Sequence, residues 1–184
     1  GVHLGHQSIL ESLRAAASGG NVGVVTFKEH PASITAPEYA PKMLTSLEQR
    51  LEILDEWGVA VAAVLDFEQV HHLDPEQFTT DVIMGVMNAA HVAVGEGFHF
   101  GHNMAGDQGL LEQLGDESGF TVEVIAIKGG DQPVRSTAIR SALMDGNIEL
   151  AATMLGRPFQ LRGSVVVGDR RGRLLGFPTA NLEL

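Results

Sequence analysis

At 184 residues the chain is long enough for one ordinary globular domain, and its 44% hydrophobic and 19% charged composition is that of a soluble folded protein. Its net charge of −11 argues against nucleic acid and anionic membrane surfaces as general partners. The absence of cysteine excludes disulfides, thiolate nucleophiles and cysteine-held zinc, no apolar run approaches the roughly 18 residues of a membrane span, and the chain reads as cytoplasmic.

The first stretch, Gly1-Val2-His3-Leu4-Gly5-His6-Gln7, sets two histidines three apart around a glycine, just ahead of a helical run at 8–17. Gly5 suits a tight turn with close approach to a ligand. The following helix start offers unpaired N–H groups and the positive end of its dipole. A strand normally feeds such a loop, so the sequence reads as beginning inside a longer chain. Residues 21–27 (NVGVVTF) form a buried strand. It runs into Lys28-Glu29-His30-Pro31 at its carboxyl end, where open α/β sheets bind ligands. Residues 31–41 hold three prolines and no period, hence a loop and a candidate flap.

A helix is predicted at 45–57, with a Thr/Ser cap, Glu48 in the first turn and Leu47, Leu51 and Leu54 on one face. A strand follows at 60–67 (AVAAVLDF). The next helix, 75–90, is capped by Asp74, with Pro75 at its first position and Phe78, Val82, Met84 and Val86 facing the core. Residues 91–95 make a third strand, 96–107 a glycine-rich loop, 108–117 a helix and 120–127 a fourth strand. After a loop at 128–134, Ser136 and Thr137 cap a helix, and 147–155 is another. This alternation implies right-handed crossovers and a Rossmann-like, doubly wound parallel sheet of the α/β class.

From Leu155 onward the sign of charge reverses, with five arginines against Asp169 and Glu183. The grammar changes too. Residues 161–168 read as a strand with no helix behind it, 169–172 as a turn, and 174–184 as irregular and then extended. A domain at 1–154 and the start of an all-β module at 155–184 are expected.

Four stretches carry chemistry. The histidine loop and Arg135-Ser136-Thr137-Ala138-Ile139-Arg140 both suit a polyphosphate: hydroxyls and N–H groups take its oxygens, and a guanidinium adds a two-pronged contact. Together they resemble the nucleotidylyltransferase superfamily, whose signatures are H-x-G-H and a late S-S-T-x-x-R. Two further stretches narrow the likeness. One is Val25-Thr26-Phe27 with His30-Pro31, followed by Val94-Gly95, Phe98, Phe100-Gly101 and Gly106-Asp107. The other is Leu155-Gly156-Arg157-Pro158-Phe159, followed by Gly168-Asp169-Arg170-Arg171-Gly172-Arg173-Leu174-Leu175-Gly176-Phe177-Pro178-Thr179-Ala180-Asn181. In order and spacing, the whole chain resembles the bacterial bifunctional riboflavin kinase/FMN adenylyltransferases, the FAD synthetases.

The resemblance implies transfer of AMP from ATP to FMN, giving FAD and pyrophosphate, with a β-barrel riboflavin kinase module downstream that makes FMN. It implies that His3 and His6 contact ATP phosphates and the transition state, with Gly5 between them. Ser136, Thr137 and Arg140 would hold the triphosphate. Thr26, Phe27, His30 and Pro31, with Gly95, Phe98, Phe100, Gly101 and Asp107, would shape the flavin and nucleotide sites. Thr179 and Asn181 would hold Mg²⁺ and ATP phosphates in the kinase, whose catalytic carboxylate lies beyond Leu184 in the family. ATP, FMN and riboflavin would be the partners, and Mg²⁺ the cofactor.

The chain departs from the family pattern at Lys28 and Glu29, where Glu-Pro is usual, and at Arg135, where Ser is usual. It also departs at His99, where Arg is common, and at Gly97. These changes bear on flavin affinity more than on phosphate chemistry. The competing readings are a nucleotidylyltransferase with another acceptor (nicotinamide mononucleotide, phosphopantetheine or glycerol phosphate) and a non-catalytic flavin- or nucleotide-binding relative. A zinc cluster of His3, His6, His99 and His102 is disfavoured for want of a carboxylate at ligand spacing. His71 and His72 read as solvated.

Overall fold

The computed structural model describes residues 1–126, 134–168, 176–177 and 179–183; the expected turn at 169–172 and nearly all of the expected loop at 128–134 fall outside them. Helix α1 (Leu4–Ala16) begins four residues earlier than the sequence pattern suggests. His3 is its N-cap, extended at φ −93° and ψ 173°, and the His3 carbonyl accepts the N–H groups of His6 at 2.8 Å and Gln7 at 3.0 Å. Gly5 and His6 therefore lie in the first helical turn, not in a loop before it. First-turn N–H groups need no intrahelical partner, so a glycine there removes little.

Strands β1 (Gly23–Phe27) and β2 (Val61–Leu65) pair in parallel, in register from Gly23↔Val61 to Phe27↔Leu65. Between them lie α2 (Ala32–Thr35), a 3₁₀ turn at Pro37–Tyr39, and α3 (Leu47–Glu56). The stretch 31–41, expected as a loop, is thus two short helical turns, each opened by a proline whose ring pre-sets φ. Ser46 caps α3 through a reciprocal box: Gln49 N donates to Ser46 Oγ at 3.1 Å, and Ser46 N to Gln49 Oε1 at 3.0 Å. Glu48 stands in the first turn as expected, and Gln49 is the partner in the box.

After β2 come the single turn α4 (Phe67–Val70) and α5 (Pro75–Phe78), the latter capped by Asp74. The chain continues helically over Thr79–Val86 in the wider π geometry. That geometry shifts the phase of the buried face. Val82 and Ile83 are buried, whereas Val86, expected in the core, is 58% exposed. Strands β3 (His91–Gly95) and β4 (Thr121–Ile125) form a second parallel pair, in register from His91↔Thr121 to Gly95↔Ile125. Helix α6 (Gln108–Ser118) connects them, and the Asp107 carboxylate accepts the Leu110 N–H at 2.9 Å to cap it.

Parallel strands joined through helices are as the sequence implies. Among the described residues the β1·β2 and β3·β4 pairs share no strand hydrogen bonds. Helix α1 joins them by packing. It lies against β3 and β4, while its Leu10 enters a core with Val2, Val22, Leu54 and Val59 on the β1·β2 side. A second core holds Ile83, Val94, Phe100, Leu111, Leu114 and Phe120. A third, with Leu44, Ile139, Ala151 and Leu155, sits under α7 (Ser136–Met144) and α8 (Ile148–Leu155). Beyond α8 the described structure is one exposed antiparallel pair, β5 (Ser164–Val166) with β6 (Asn181–Glu183). No described helix is long and apolar enough to cross a membrane.

The π segment makes its two apolar neighbours unequal. Ile83→Ala should cost about 2–5 kcal/mol in urea unfolding, whereas Val86→Ala should stay within about 0.5 kcal/mol of the unaltered protein. Equal costs would place Val86 in the core and contradict the phase described here.

Candidate active site

The two histidines meet because α1 starts at Leu4: as N-cap and third helical residue they fall on the same turn. Their ring centroids are 3.9 Å apart at an interplanar angle of 37°. His3 is only 6% exposed, and its Nδ1 is buried without a hydrogen-bond partner among the described residues. Burial, then the neighbouring His6, push the His3 pKa down to about 3. Although the His6 side chain reaches the surface, burial of its ring nitrogens lowers its pKa as well. Both imidazoles are therefore neutral near pH 7 and present N–H donors rather than fixed charges.

Fixed positive charge comes from arginines on other elements. Beside Gly1 the Arg157 guanidinium lies 3.5 Å from where a Cβ on that residue would sit, and the charges of Arg50 and Arg140 bear on the same place. Arg140, on α7, donates from Nε to the Lys42 carbonyl at 2.8 Å. After burial, its charge is the next influence lowering His30. His30 Nδ1 accepts the Ala32 N–H at 3.1 Å, so the neutral ring carries its proton on Nε2 and can donate from there. No group of three His, Asp or Glu side chains able to hold a metal occurs among the described residues. His99 and His102 bond the carbonyls of Gly97 at 2.9 Å and His71 at 2.9 Å.

Ser136 and Thr137 stand at the first two positions of α7, but the N-cap is Arg135, with no side-chain cap bond. The expected hydroxyl cap is thus corrected: Ser136 and Thr137 lie one and two residues inside the helix, among its free N–H groups. Thr26 and Phe27 end β1. Arg50 binds both of them, donating from one terminal nitrogen to Thr26 Oγ1 at 2.7 Å and to the Phe27 carbonyl at 2.7 Å. Its Nε and second terminal nitrogen are buried without partners among the described residues.

The Gly95–Asp107 stretch belongs to the β3·β4 side. Phe98 and Phe100 stack with centroids 5.7 Å apart, and Phe100 is part of the core. Gly101, at φ +74°, leaves no room for a Cβ, which would sit 2.7 Å from the Pro75 nitrogen. Asp107 is occupied as a helix cap. Thr179 and Asn181 are exposed, Asn181 as the first residue of β6, and the Asn181 amide lies against Gly168, where a Cβ would force it to shift.

Sequence reasoning passed over three side chains. Arg50 shares the 47–51–54 stripe of α3, so a cation on an apolar face was the signal for it. Gln7, three residues before Leu10, shares the apolar face of α1 in the same way. Arg157 stood in a quoted motif without a role.

The site thus sets two paired imidazoles at a helix start, with Arg157 close by. The FAD synthetase family model matches residues 1–138, and the riboflavin kinase model residues 155–184. The bifunctional riboflavin kinase/FMN adenylyltransferase of Escherichia coli K12 is 37% identical over 188 residues, covering 100% of this chain and 60% of that protein. The one from Bacillus subtilis is 35% identical, over 100% of this chain and 59% of its own length. The chain thus spans about 60% of the length of these curated relatives. A crystal structure described as a macrolide-efflux protein from Streptococcus pneumoniae superposes with a TM-score of 0.80 at 29% identity, covering 98% of this chain and 59% of that one. The chain belongs to the FAD synthetase family.

The depressed His3 pKa ties stability to pH. Between the ordinary histidine value of about 6.5 and the native value of about 3, the unfolded chain binds a proton that the folded chain does not. Stability from this source is complete above the window and is lost as pH falls through it. The drop in urea midpoint from about pH 7 to about pH 5 should therefore be smaller in His3→Gln than in the unaltered protein. An identical drop would mean that His3 is not held neutral by burial.

Proposed function

We propose that the protein makes FAD by transferring AMP from ATP to the phosphate of FMN, in a chain whose second unit phosphorylates riboflavin. The observation that carries this reading is the pair of neutral histidines at the start of α1, set among Arg50, Arg140 and Arg157. A phosphate monoester is already an anion at neutral pH, so no general base is required. An FMN phosphate oxygen attacks the α-phosphorus in line; the bond to the bridging oxygen breaks, and pyrophosphate leaves with the electron pair. The imidazole N–H groups of His3 and His6 donate to the α-phosphate as charge gathers there, and Arg140 with Ser136 and Thr137 holds the triphosphate. Positioning and electrostatics do the work.

Magnesium fits this site as an ion brought by the nucleotide, since no described carboxylate cluster could cage it; it would neutralise phosphate charge when bound. In the second unit, Thr179 and Asn181 offer neutral oxygen ligands of the kind such an ion accepts. The division at 154/155 is supported by the ranges of the two family matches. In the same reading, both parallel pairs belong to one doubly wound sheet, β5 with β6 opens a β-barrel, and the enzyme works in the cytoplasm on small molecules.

Incubating the full-length protein with Mg²⁺-ATP and FMN, then separating the flavins, should yield FAD and pyrophosphate; riboflavin in place of FMN should yield FMN. Consumption of neither flavin would send the reading to another acceptor, and FMN without FAD would reduce the first unit to a binding role. His6→Ala should lower turnover by about 10²-fold or more, the usual effect of removing one transition-state donor. A variant with near-full turnover would take His6 out of the mechanism.

A further inference from the structure

Two backbone carbonyls are tied together by two side chains just behind the histidine pair. Gln7 Nε2 donates to the Val2 carbonyl at 3.2 Å and to the Leu155 carbonyl at 2.9 Å. The Arg157 NH1 nitrogen donates to the same two oxygens, at 2.5 Å to Val2 and 3.2 Å to Leu155. Each nitrogen carries two hydrogens and each oxygen two lone pairs, so four bonds exhaust both sides. Val2 immediately precedes His3. Leu155 is the last residue of α8, whose terminal carbonyls lack helical partners.

Gly156 makes the approach possible. It turns at φ +69°, and a Cβ there would lie 2.9 Å from Leu4 Cδ2 and 3.1 Å from Gln7 Oε1. The clasp also spans the two family matches, joining residues of the first to the opening residues of the second. Arg157 is electrostatically close to the pair as well: behind burial and His6, its charge also lowers the His3 pKa.

We propose that Gln7 and Arg157 are positioning residues for the histidine pair, so that the opening of the second unit completes the polyphosphate site of the first. The proposal rests on the reading of that pair as the site of adenylyl transfer. Holding the Val2 carbonyl from two sides fixes where the chain enters α1, and with it the direction in which His3 leaves the N-cap. Because misplacing a reacting group by about 1 Å costs about 10²-fold in rate, the loss should fall on kcat, while ground-state affinity for ATP, set by Ser136, Thr137 and Arg140, should hold.

In the full-length protein, Arg157→Met should lower kcat for FAD formation by about 10- to 100-fold and change the KM for ATP by less than about threefold. Arg157→Lys, which keeps a cationic donor on a stem one bond shorter, should recover a large part of that loss. Gln7→Glu, which turns the donor into an acceptor facing two carbonyls, should reproduce it. Near-UV circular dichroism of each variant should match the unaltered protein. Unchanged kcat in Arg157→Met would overturn the proposal, as would a loss shared equally by kcat and ATP affinity that Arg157→Lys does not relieve. If the unaltered protein makes no FAD, the functional reading falls by itself. The clasp is then judged by the nitrogen NMR signals of the His3 and His6 rings: they shift in Arg157→Met if it positions them and stay put if it does not.

Discussion

Helix α1 is the constraint on which the first unit depends. Its Leu10 is sealed into the β1·β2 core, its flank lies on β3 and β4, and its first turn carries His3 and His6. Ser12 reaches across to β4, donating to Glu123 Oε2 at 2.8 Å. A helix held on two sides cannot tilt to relax its N-terminus, because close-packed interiors transmit displacement rather than absorb it. The helix start, with its free N–H groups and two imidazoles, therefore inherits the rigidity of both halves.

Charge is arranged against the average of the molecule. The chain carries −11 overall, yet the charges that bear on Gly1 are those of three arginines. Burial lowers the pKa of Arg50, Arg140 and Arg157 alike, but guanidinium remains protonated in proteins. Backbone oxygens soften the cost: Arg50 takes Phe27, Arg140 takes Lys42, and Arg157 takes Val2 and Leu155. Carbonyls satisfy donors without cancelling charge, and the one carboxylate that bears on the three, Glu56 near Arg157, makes no ion pair with it among the described residues. A carboxylate partner would have neutralised that charge, as happens away from the site where Arg162 grips Glu52 with two bonds of 2.8 Å each.

Much of this was legible in residue order. Short patterns report local structure well where one principle dominates. Asp74-Pro75 marks a helix start, and the β-branched runs mark parallel strands. The reading failed where packing or wider geometry competes. Val86 lies outside because the π turn rephases the helix, and Arg135 takes the cap meant for a hydroxyl. Arg50 and Gln7 were visible as polar residues on apolar stripes, but a stripe does not say what such a residue meets.

By itself, the sequence determined the α/β class, the order of its elements and the family, because these follow from periodicity, turn residues and motifs confined to short stretches. Only the tertiary structure decided that His3 is buried with a depressed pKa, that three arginines from α3, α7 and the segment after α8 converge near Gly1, and that Gln7 and Arg157 share two carbonyls 153 residues apart in the chain (positions 2 and 155). Each of these depends on desolvation or on long-range approach. Neither quantity is defined until the chain has closed on itself.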